Sequence, residues 1–73
     1  MNPTQLLEAI HAAPFRPFTI RMNSGKSYQV PHPEFAMMAP TKWSLVAVTN
    51  SGAYAILPMC SIASLEFLQP ANR

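Results

Sequence analysis

The chain has 73 residues, 49% of them hydrophobic and 11% charged, and a formal net charge of +2, which supports one domain (residues 1–73) with a small core. Its one cysteine, Cys60, excludes an internal disulfide, and no apolar stretch reaches the ~18 residues that a membrane span needs. Because the N-terminus also lacks a basic region followed by an apolar one, we expect no signal peptide and a cytoplasmic location.

The first predicted element is a helix over residues 3–13. Asn2 can cap its start, and Pro3 suits the first helical position. Pro14 ends it, because the residue before a proline avoids the helical region. A helix of about three turns is marginal in isolation, so it must dock its apolar stripe on the sheet. That stripe consists of Leu6, Leu7, Ile10 and Ala13.

A hairpin follows, with Asn23-Ser24-Gly25 as its turn. Apolar and polar residues alternate from Phe18 onward, which is the pattern of a half-buried strand. A two-residue loop would mix apolar and polar side chains on both faces, whereas a three-residue loop separates them. The three-residue loop also favours glycine at its third position, where Gly25 stands. The predicted cross-strand pairs are Phe18 with Val30, Thr19 with Gln29, Ile20 with Tyr28 and Arg21 with Ser27.

Residues 31–42 carry three prolines, which cannot continue a central strand, so we predict an irregular crossing there. The side chains expected to turn inward from this crossing are Phe35, Met37 and Met38.

A last short strand is predicted over residues 64–68, with Leu65 and Phe67 facing inward. Residues 69–73 are expected to be a frayed tail.

A second hairpin is predicted between these segments, with strands over residues 43–49 and 53–57 around the turn Asn50-Ser51-Gly52. The turn repeats the three residues of the first one, so we expect the same loop geometry. The predicted pairs are Val48 with Tyr54, Ala47 with Ala55, Val46 with Ile56 and Leu45 with Leu57. Unlike the first hairpin, this one is apolar on both faces, and such a strand pair is usually covered on both.

The rolled sheet covers one apolar face of the second hairpin, and one helix with a narrow apolar stripe cannot cover the other face. An exposed apolar patch on a small protein usually marks an interaction site, and oligomerisation stabilises a core of this size. We therefore expect a homo-oligomer, with a monomeric barrel that hides both faces as the alternative. The interface is predicted to consist of Leu45, Ala47, Ala55 and Leu57, or else of the opposite set, Val46, Val48, Tyr54 and Ile56.

The order of a helix and five short strands predicts a mainly β fold of the α+β class, a five-stranded antiparallel sheet rolled into a small open barrel. This order resembles the Sm-like and SH3-like small barrels. The chain also resembles a family of short, uncharacterised bacterial proteins, through the proline-phenylalanine repeat Pro14–Phe18, the first glycine turn and the segment His32–Phe35. The resemblance implies no assigned activity, and fold does not imply function.

His32 and Glu34 are the nearest approach to a catalytic or metal-binding pair, since they share one side of an extended segment. A metal site needs three or four ligands, and the other candidate ligands show no suitable spacing. Local hydrogen bonding around the two prolines is the favoured interpretation of this pair. We interpret Cys60 as a small buried hydrophobe. With three acidic residues and no nucleophile or phosphate-loop motif, we expect no enzyme, metal or cofactor.

Nucleic-acid binding is the alternative function, because aromatic residues with nearby cations can hold single strands. The candidate contacts are Arg16, Arg21, Lys26 and Lys42, which form no basic run. The sequence therefore favours a non-enzymatic module that associates with itself and serves as a protein-interaction or structural subunit. Weak, salt-sensitive RNA binding of the Sm-like kind is the second hypothesis, another protein is a further candidate partner, and a membrane is not expected.

Overall fold

The structure is a computed structural model that describes residues 1–67. Its elements are helix α1 (Pro3–His11) and strands β1 (Phe18–Met22), β2 (Ser27–Val30), β3 (Ala36–Met38), β4 (Ser44–Val48), β5 (Tyr54–Pro58) and β6 (Ile62–Phe67). Single 3₁₀ turns, Pro33–Phe35 and Met59–Ser61, precede β3 and β6. The strands form two three-stranded antiparallel sheets, ordered β2-β1-β6 and β3-β4-β5.

Helix α1 begins where the sequence predicts. The side-chain oxygen of Asn2 accepts a hydrogen bond from the backbone N–H of Thr4 at 2.8 Å, which satisfies one of the free donors of the first turn. The helix ends at His11, before the predicted end, because the chain is already extended ahead of Pro14. The buried stripe is therefore Leu6, Ala9 and Ile10, whereas Leu7 is half-buried and Ala13 is exposed.

Both predicted hairpin registers are confirmed. Phe18 lies opposite Val30, and Val46 lies opposite Ile56, with the remaining predicted pairs in place. In the first hairpin, Met22 N–H donates to the carbonyl of Lys26 at 2.8 Å, and Gly25 N–H donates to the carbonyl of Met22 at 3.0 Å. The loop thus has three residues.

The second loop repeats that geometry. Thr49 N–H donates to the carbonyl of Ala53 at 2.8 Å, and Gly52 N–H donates to the carbonyl of Thr49 at 2.9 Å. The third loop residue is a glycine with positive φ in both turns, +95° at Gly25 and +86° at Gly52. The predicted loop type is therefore confirmed in both hairpins.

The prediction of five strands is wrong, because residues 1–67 contain six. Ala36–Met38, predicted to be irregular, is β3 and pairs with β4. Prolines flank this segment at positions 33 and 40 but none lies inside it, so its backbone N–H groups remain available for a short ladder. Met37 accordingly alternates outward instead of turning in, while Phe35 and Met38 are half-buried.

The predicted single rolled sheet is also corrected to two separate sheets, which do not close into a barrel. Prolines stand at both points where the chain passes from one sheet to the other: Pro31 and Pro33 follow β2, and Pro58 is the last paired residue of β5. A proline lacks the N–H that would extend the ladder, so each ladder ends there. The last strand begins at Ile62, ahead of the predicted residue 64, and the predicted Leu68 and tail lie outside the described residues. The core between the sheets and α1 consists of Leu6, Ala9, Ile10, Phe18, Ile20, Val30, Ala36, Leu45, Ala47, Leu57, Met59 and Ile62.

Candidate interaction surface

The sheet β3-β4-β5 carries a contiguous apolar surface on the side turned away from the core. The registers place Met37 beside Val46 and Val46 beside Ile56, and they place Val48 beside Tyr54. We call these five residues the outer apolar face. Met37 is 64% exposed, Ile56 70% and Tyr54 77%, while the two valines are half-buried between them. Large apolar side chains are therefore exposed on the two outer strands, β3 and β5, on either side of the valines of β4.

The residues first predicted as the interface lie on the opposite side of this sheet. Leu45, Ala47 and Leu57 are buried in the chain's own core, and Ala55 is half-buried against it. This side faces inward because Ala36, Ala47 and Ala55 form one row across the three strands, and their small side chains admit close packing. The structure thus corrects the choice of face, since the opposite set is the exposed one.

No member of the outer apolar face is charged, although Glu34 lines the same surface cavity as Met37 at the β3 edge. Lys42 is the only charged residue between Phe35 and Leu65 in the sequence. It lies in the β3–β4 loop, where its N–H donates to the carbonyl of Ala39 at 2.8 Å. The next residue, Trp43, is 79% exposed, although its backbone carbonyl is fixed by a 2.8 Å hydrogen bond from Met59 N–H. An exposed indole and one cation therefore stand at the start of β4.

The outer side of the other sheet is polar. Its residues are Thr19, Arg21, Ser27, Gln29, Ser64 and Glu66. Arg21 Nε lies 2.7 Å from Glu66 Oε2, and both side chains are about half exposed. The hydrogen bond from Arg21 lowers the pKa of the Glu66 carboxyl, and the same bond raises the pKa of the Arg21 guanidinium.

The four cations predicted as nucleic-acid contacts are distributed over both sheets. Arg16 precedes β1 and places its guanidinium 5.0 Å from the centre of the Phe67 ring. Arg21 is paired with a carboxylate, Lys26 closes the first turn, and Lys42 belongs to the other sheet. The structure therefore does not gather these four cations into one basic surface among residues 1–67.

The predicted polar pair lies at the 3₁₀ turn before β3. His32 and Glu34 are both exposed, and the His32 ring lies 5.9 Å from the ring of Phe35. In the described part of the chain, no three histidine, cysteine or acidic side chains come together as metal ligands. Cys60, predicted to be buried, is exposed, because Met59 takes the buried position of the 3₁₀ turn before β6.

Two features of the site were not predicted from the sequence. One is the outward position of Met37, which alternation from Ala36 onward could have indicated. The other is a groove of about 570 Å³ between α1 and β6. The spacing of Gln5 and Glu8 places them on one side of the helix, and Ala12 follows directly after its end, but only the position of β6 makes that side the wall of a groove.

No match was found when the chain was compared with models of protein families, with curated proteins and with solved structures. The resemblance to a family of short bacterial proteins, and to Sm-like and SH3-like barrels, stays a prediction. Among residues 1–67 no helix has both the length and the apolar character required to cross a membrane.

Proposed function

We propose that this chain is a non-enzymatic protein-interaction or structural module that associates with itself through the outer apolar face. The observation that carries the proposal is the exposure of Met37, Tyr54 and Ile56 side by side on one uncharged sheet surface. Soluble monomers rarely expose a contiguous apolar patch of this kind without a partner. A second copy of the chain is the partner to which the proposal commits.

The exposed area of the surface sets how strongly a pair of copies would hold. Met37, Tyr54 and Ile56 are 64%, 77% and 70% exposed, so they offer roughly 400 Å² per copy if a fully exposed large side chain has ~200 Å². A symmetric pair would bury roughly 800 Å² through these three side chains, which is the size of the smaller, weaker class of interface. Since the core of a chain this size supplies only about 3–5 kcal/mol, burial of this surface adds materially to stability.

The chemistry of the surface also favours a copy of itself. In a two-fold symmetric interface the same patch meets itself, so a charge near the axis would meet its own like charge. The outer apolar face has no charged member, and its residues are aromatic, branched or thioether side chains that pack against one another. Two such faces stacked as sheets would form a sandwich with spacing near 10 Å.

Light scattering at micromolar concentration tests the proposal. We expect the wild-type chain to have about twice the 8.1 kDa mass of one copy. Ile56→Glu places a carboxylate in the middle of the outer apolar face and should give a folded monomer. Gln29→Glu adds the same charge at an exposed position of the polar sheet and should leave the mass unchanged. A wild-type mass of 8.1 kDa, or an Ile56→Glu variant that still pairs, would refute the proposal.

Weak RNA binding of the Sm-like kind is the second candidate, supported by the guanidinium of Arg16 held against the Phe67 ring. Because Arg21 already has a carboxylate partner, few unpaired cations remain among residues 1–67 to displace counterions from a nucleic acid. We expect single-stranded RNA to bind weakly and to dissociate in moderate salt. Sub-micromolar binding that persists in salt would make this candidate the first one.

A further inference from the structure

A second surface, separate from the outer apolar face, lies between α1 and β6. It is the open groove of about 570 Å³, walled by Gln5, Glu8 and Ala12 of the helix side and by the strand from Ala63 to Phe67. At one end of the groove the backbone nitrogen of Met1 donates to the carbonyl of Met59 at 3.5 Å. At the other end lies the pair of Arg16 and Phe67. The helix and β6 therefore run in the same direction along the groove.

Strand β6 presents a free edge to this groove. Among residues 1–67 it pairs only with β1, at the end of the order β2-β1-β6. The bond from Met22 N–H to Lys26 shows that the even-numbered residues of β1 direct their backbone groups to β2. The odd-numbered residues Thr19 and Arg21 therefore direct theirs to β6, where they meet Glu66 and Ser64.

The same alternation fixes the backbone groups that face the groove. Since Ser64 and Glu66 bond to β1, the N–H and C=O groups of Leu65 and Phe67 point the other way. Such a row of free donors and acceptors is a template for another extended chain. The groove wall opposite them includes Ala12, whose small side chain leaves room for a peptide backbone.

We propose that this groove binds an extended peptide segment of a partner protein, which adds to β6 as a further strand and carries a carboxylate side chain that meets Arg16. Strand addition supplies affinity through main-chain hydrogen bonds, and side-chain contacts supply specificity. A peptide laid along residues 63–67 has about five residues in contact at ~3.3 Å each.

Arg16 is the residue that sets the expected charge of the peptide. Its guanidinium is held against the Phe67 ring, and among residues 1–67 it has no carboxylate partner. A cation that is already positioned loses little freedom when it donates hydrogen bonds to an acidic side chain, and those hydrogen bonds are charge-assisted. Glu8 in the helix wall disfavours a second acid there, so the carboxylate belongs at the Phe67 end.

This site goes beyond self-association and does not depend on it. The outer apolar face belongs to the sheet β3-β4-β5, whereas the groove belongs to α1 and the edge of the sheet β2-β1-β6. A self-associated pair would therefore present two peptide sites, and the monomeric Ile56→Glu variant should bind peptide as the wild type does.

The test starts from a phage-displayed library of random nonapeptides selected on the purified full chain. We expect enriched peptides to alternate β-branched or aromatic residues and to share one Asp or Glu. A synthetic copy of the most enriched peptide should bind Arg16→Gln about ten-fold or more weakly than the wild type. Lys26→Gln, which removes an exposed cation at the first turn, should bind it unchanged. Ala12→Trp should block binding by filling the groove while leaving the circular dichroism spectrum unchanged.

Amide hydrogen exchange distinguishes strand addition from a purely structural role of Arg16. Only a peptide paired with β6 would protect the amides at the free edge of that strand. In the peptide complex the amides of Leu65 and Phe67 should exchange more slowly, whereas those of Ser64 and Glu66 are already protected by β1. The proposal is overturned if no peptide is enriched, or if Leu65 and Phe67 gain no protection. It is equally overturned if binding survives Ala12→Trp but is lost in Ile56→Glu, which would place the peptide on the outer apolar face.

Discussion

The two sheets share their construction but differ in what they show to water. Each contains a hairpin closed by the same Asn-Ser-Gly loop, and each turns one apolar side toward the common core. On the other side, the sheet β2-β1-β6 carries hydroxyl, amide and charged groups, whereas the sheet β3-β4-β5 carries the outer apolar face. Folding of one chain requires only the inner sides. The polar outer side of the sheet β2-β1-β6 can therefore remain in contact with water. By our proposal, the apolar outer side of the sheet β3-β4-β5 is covered by a second copy of the chain.

The two loops differ as well, although their residues are the same. In the first, Asn23 N–H donates to the carbonyl of Ser61 at 2.8 Å, and its side-chain amide donates to the carbonyl of Cys60 at 3.2 Å. In the second, the hydrogen bonds of the Thr49 hydroxyl are local, to Ser51 at 3.0 Å and Ala53 at 3.2 Å. The first loop is thus hydrogen-bonded to the turn before β6, whereas the hydrogen bonds of the second loop remain within its own hairpin.

The largest predicted effect comes from placing a charge on the inner rather than the outer side of the sheet β3-β4-β5. Ala47 is 1% exposed, so Ala47→Glu buries an unpaired carboxylate. That costs about 3–5 kcal/mol, as much as a core of this size supplies. We expect Ala47→Glu to be unfolded by far-ultraviolet circular dichroism, whereas Ile56→Glu on the outer side keeps the native spectrum. A folded Ala47→Glu together with an unfolded Ile56→Glu would mean that the inner and outer sides are the reverse of those described.

The next effect concerns the glycines, for which the two hairpins should behave alike. Gly25 and Gly52 have positive φ, and a Cβ added at either would meet no atom within 4 Å. The cost of Gly→Ala is therefore conformational, about 1–2 kcal/mol at each site. Urea denaturation at one fixed protein concentration measures it. Ser24→Ala, one residue away in the first loop, should change stability by less than about 0.5 kcal/mol.

The asparagines should separate the two hairpins. Asn23→Ala removes the side-chain bond to Cys60 and should cost about 1 kcal/mol. Asn50→Ala at the matching position should cost less than about 0.5 kcal/mol, as an ordinary surface substitution does. The same urea experiment compares them. Equal costs would mean that the bond to the turn before β6 contributes nothing and that the loops differ only in appearance.

The elements that the sequence predicted well are those whose physics is local. Alternation and the position of Gly25 decide the first register, because a one-residue slip would mix polar and apolar side chains. In the second hairpin the register was predicted from the repeated Asn-Ser-Gly turn, because alternation cannot decide it when both sides are apolar. The inner side was left open for the same reason, and it depends on β3, where Ala36 pairs with Ala47. Ala36 lies in β3, a three-residue strand between prolines. Three residues are too few for apolar-polar alternation to indicate a strand.

The groove between α1 and β6 could not be predicted for a related reason. Its helix wall is visible as a spacing in the sequence, but a groove exists only where a free strand edge lies beside that wall. Which strand becomes the edge depends on the pairing of β1 with β6, whose paired residues are 40 or more positions apart in the sequence. Contacts of that range leave no periodic signal in the sequence.

The smallest effect is expected at the ion pair on the polar side of the sheet β2-β1-β6. Arg21 and Glu66 are 2.7 Å apart but half exposed, so water screens their attraction. The hydrogen bond from Arg21 lowers the pKa of Glu66 in the folded state, so the unfolded chain takes up the proton at higher pH. The stabilisation is therefore present above the unfolded-state pKa and is lost as pH falls through the lower, folded-state pKa.

Urea midpoints measured from neutral to acid pH should show this contribution as a small difference between the wild type and Glu66→Gln. The difference should be present at neutral pH and vanish in acid. A Glu66→Gln variant whose pH dependence equals that of the wild type would contradict the assignment.

Because the pair is so weakly coupled to folding, Arg21→Ala with Glu66→Ala should still give a folded chain with the association state of the wild type. That result would show that the polar sheet surface tolerates change, whereas one charge on the outer apolar face does not.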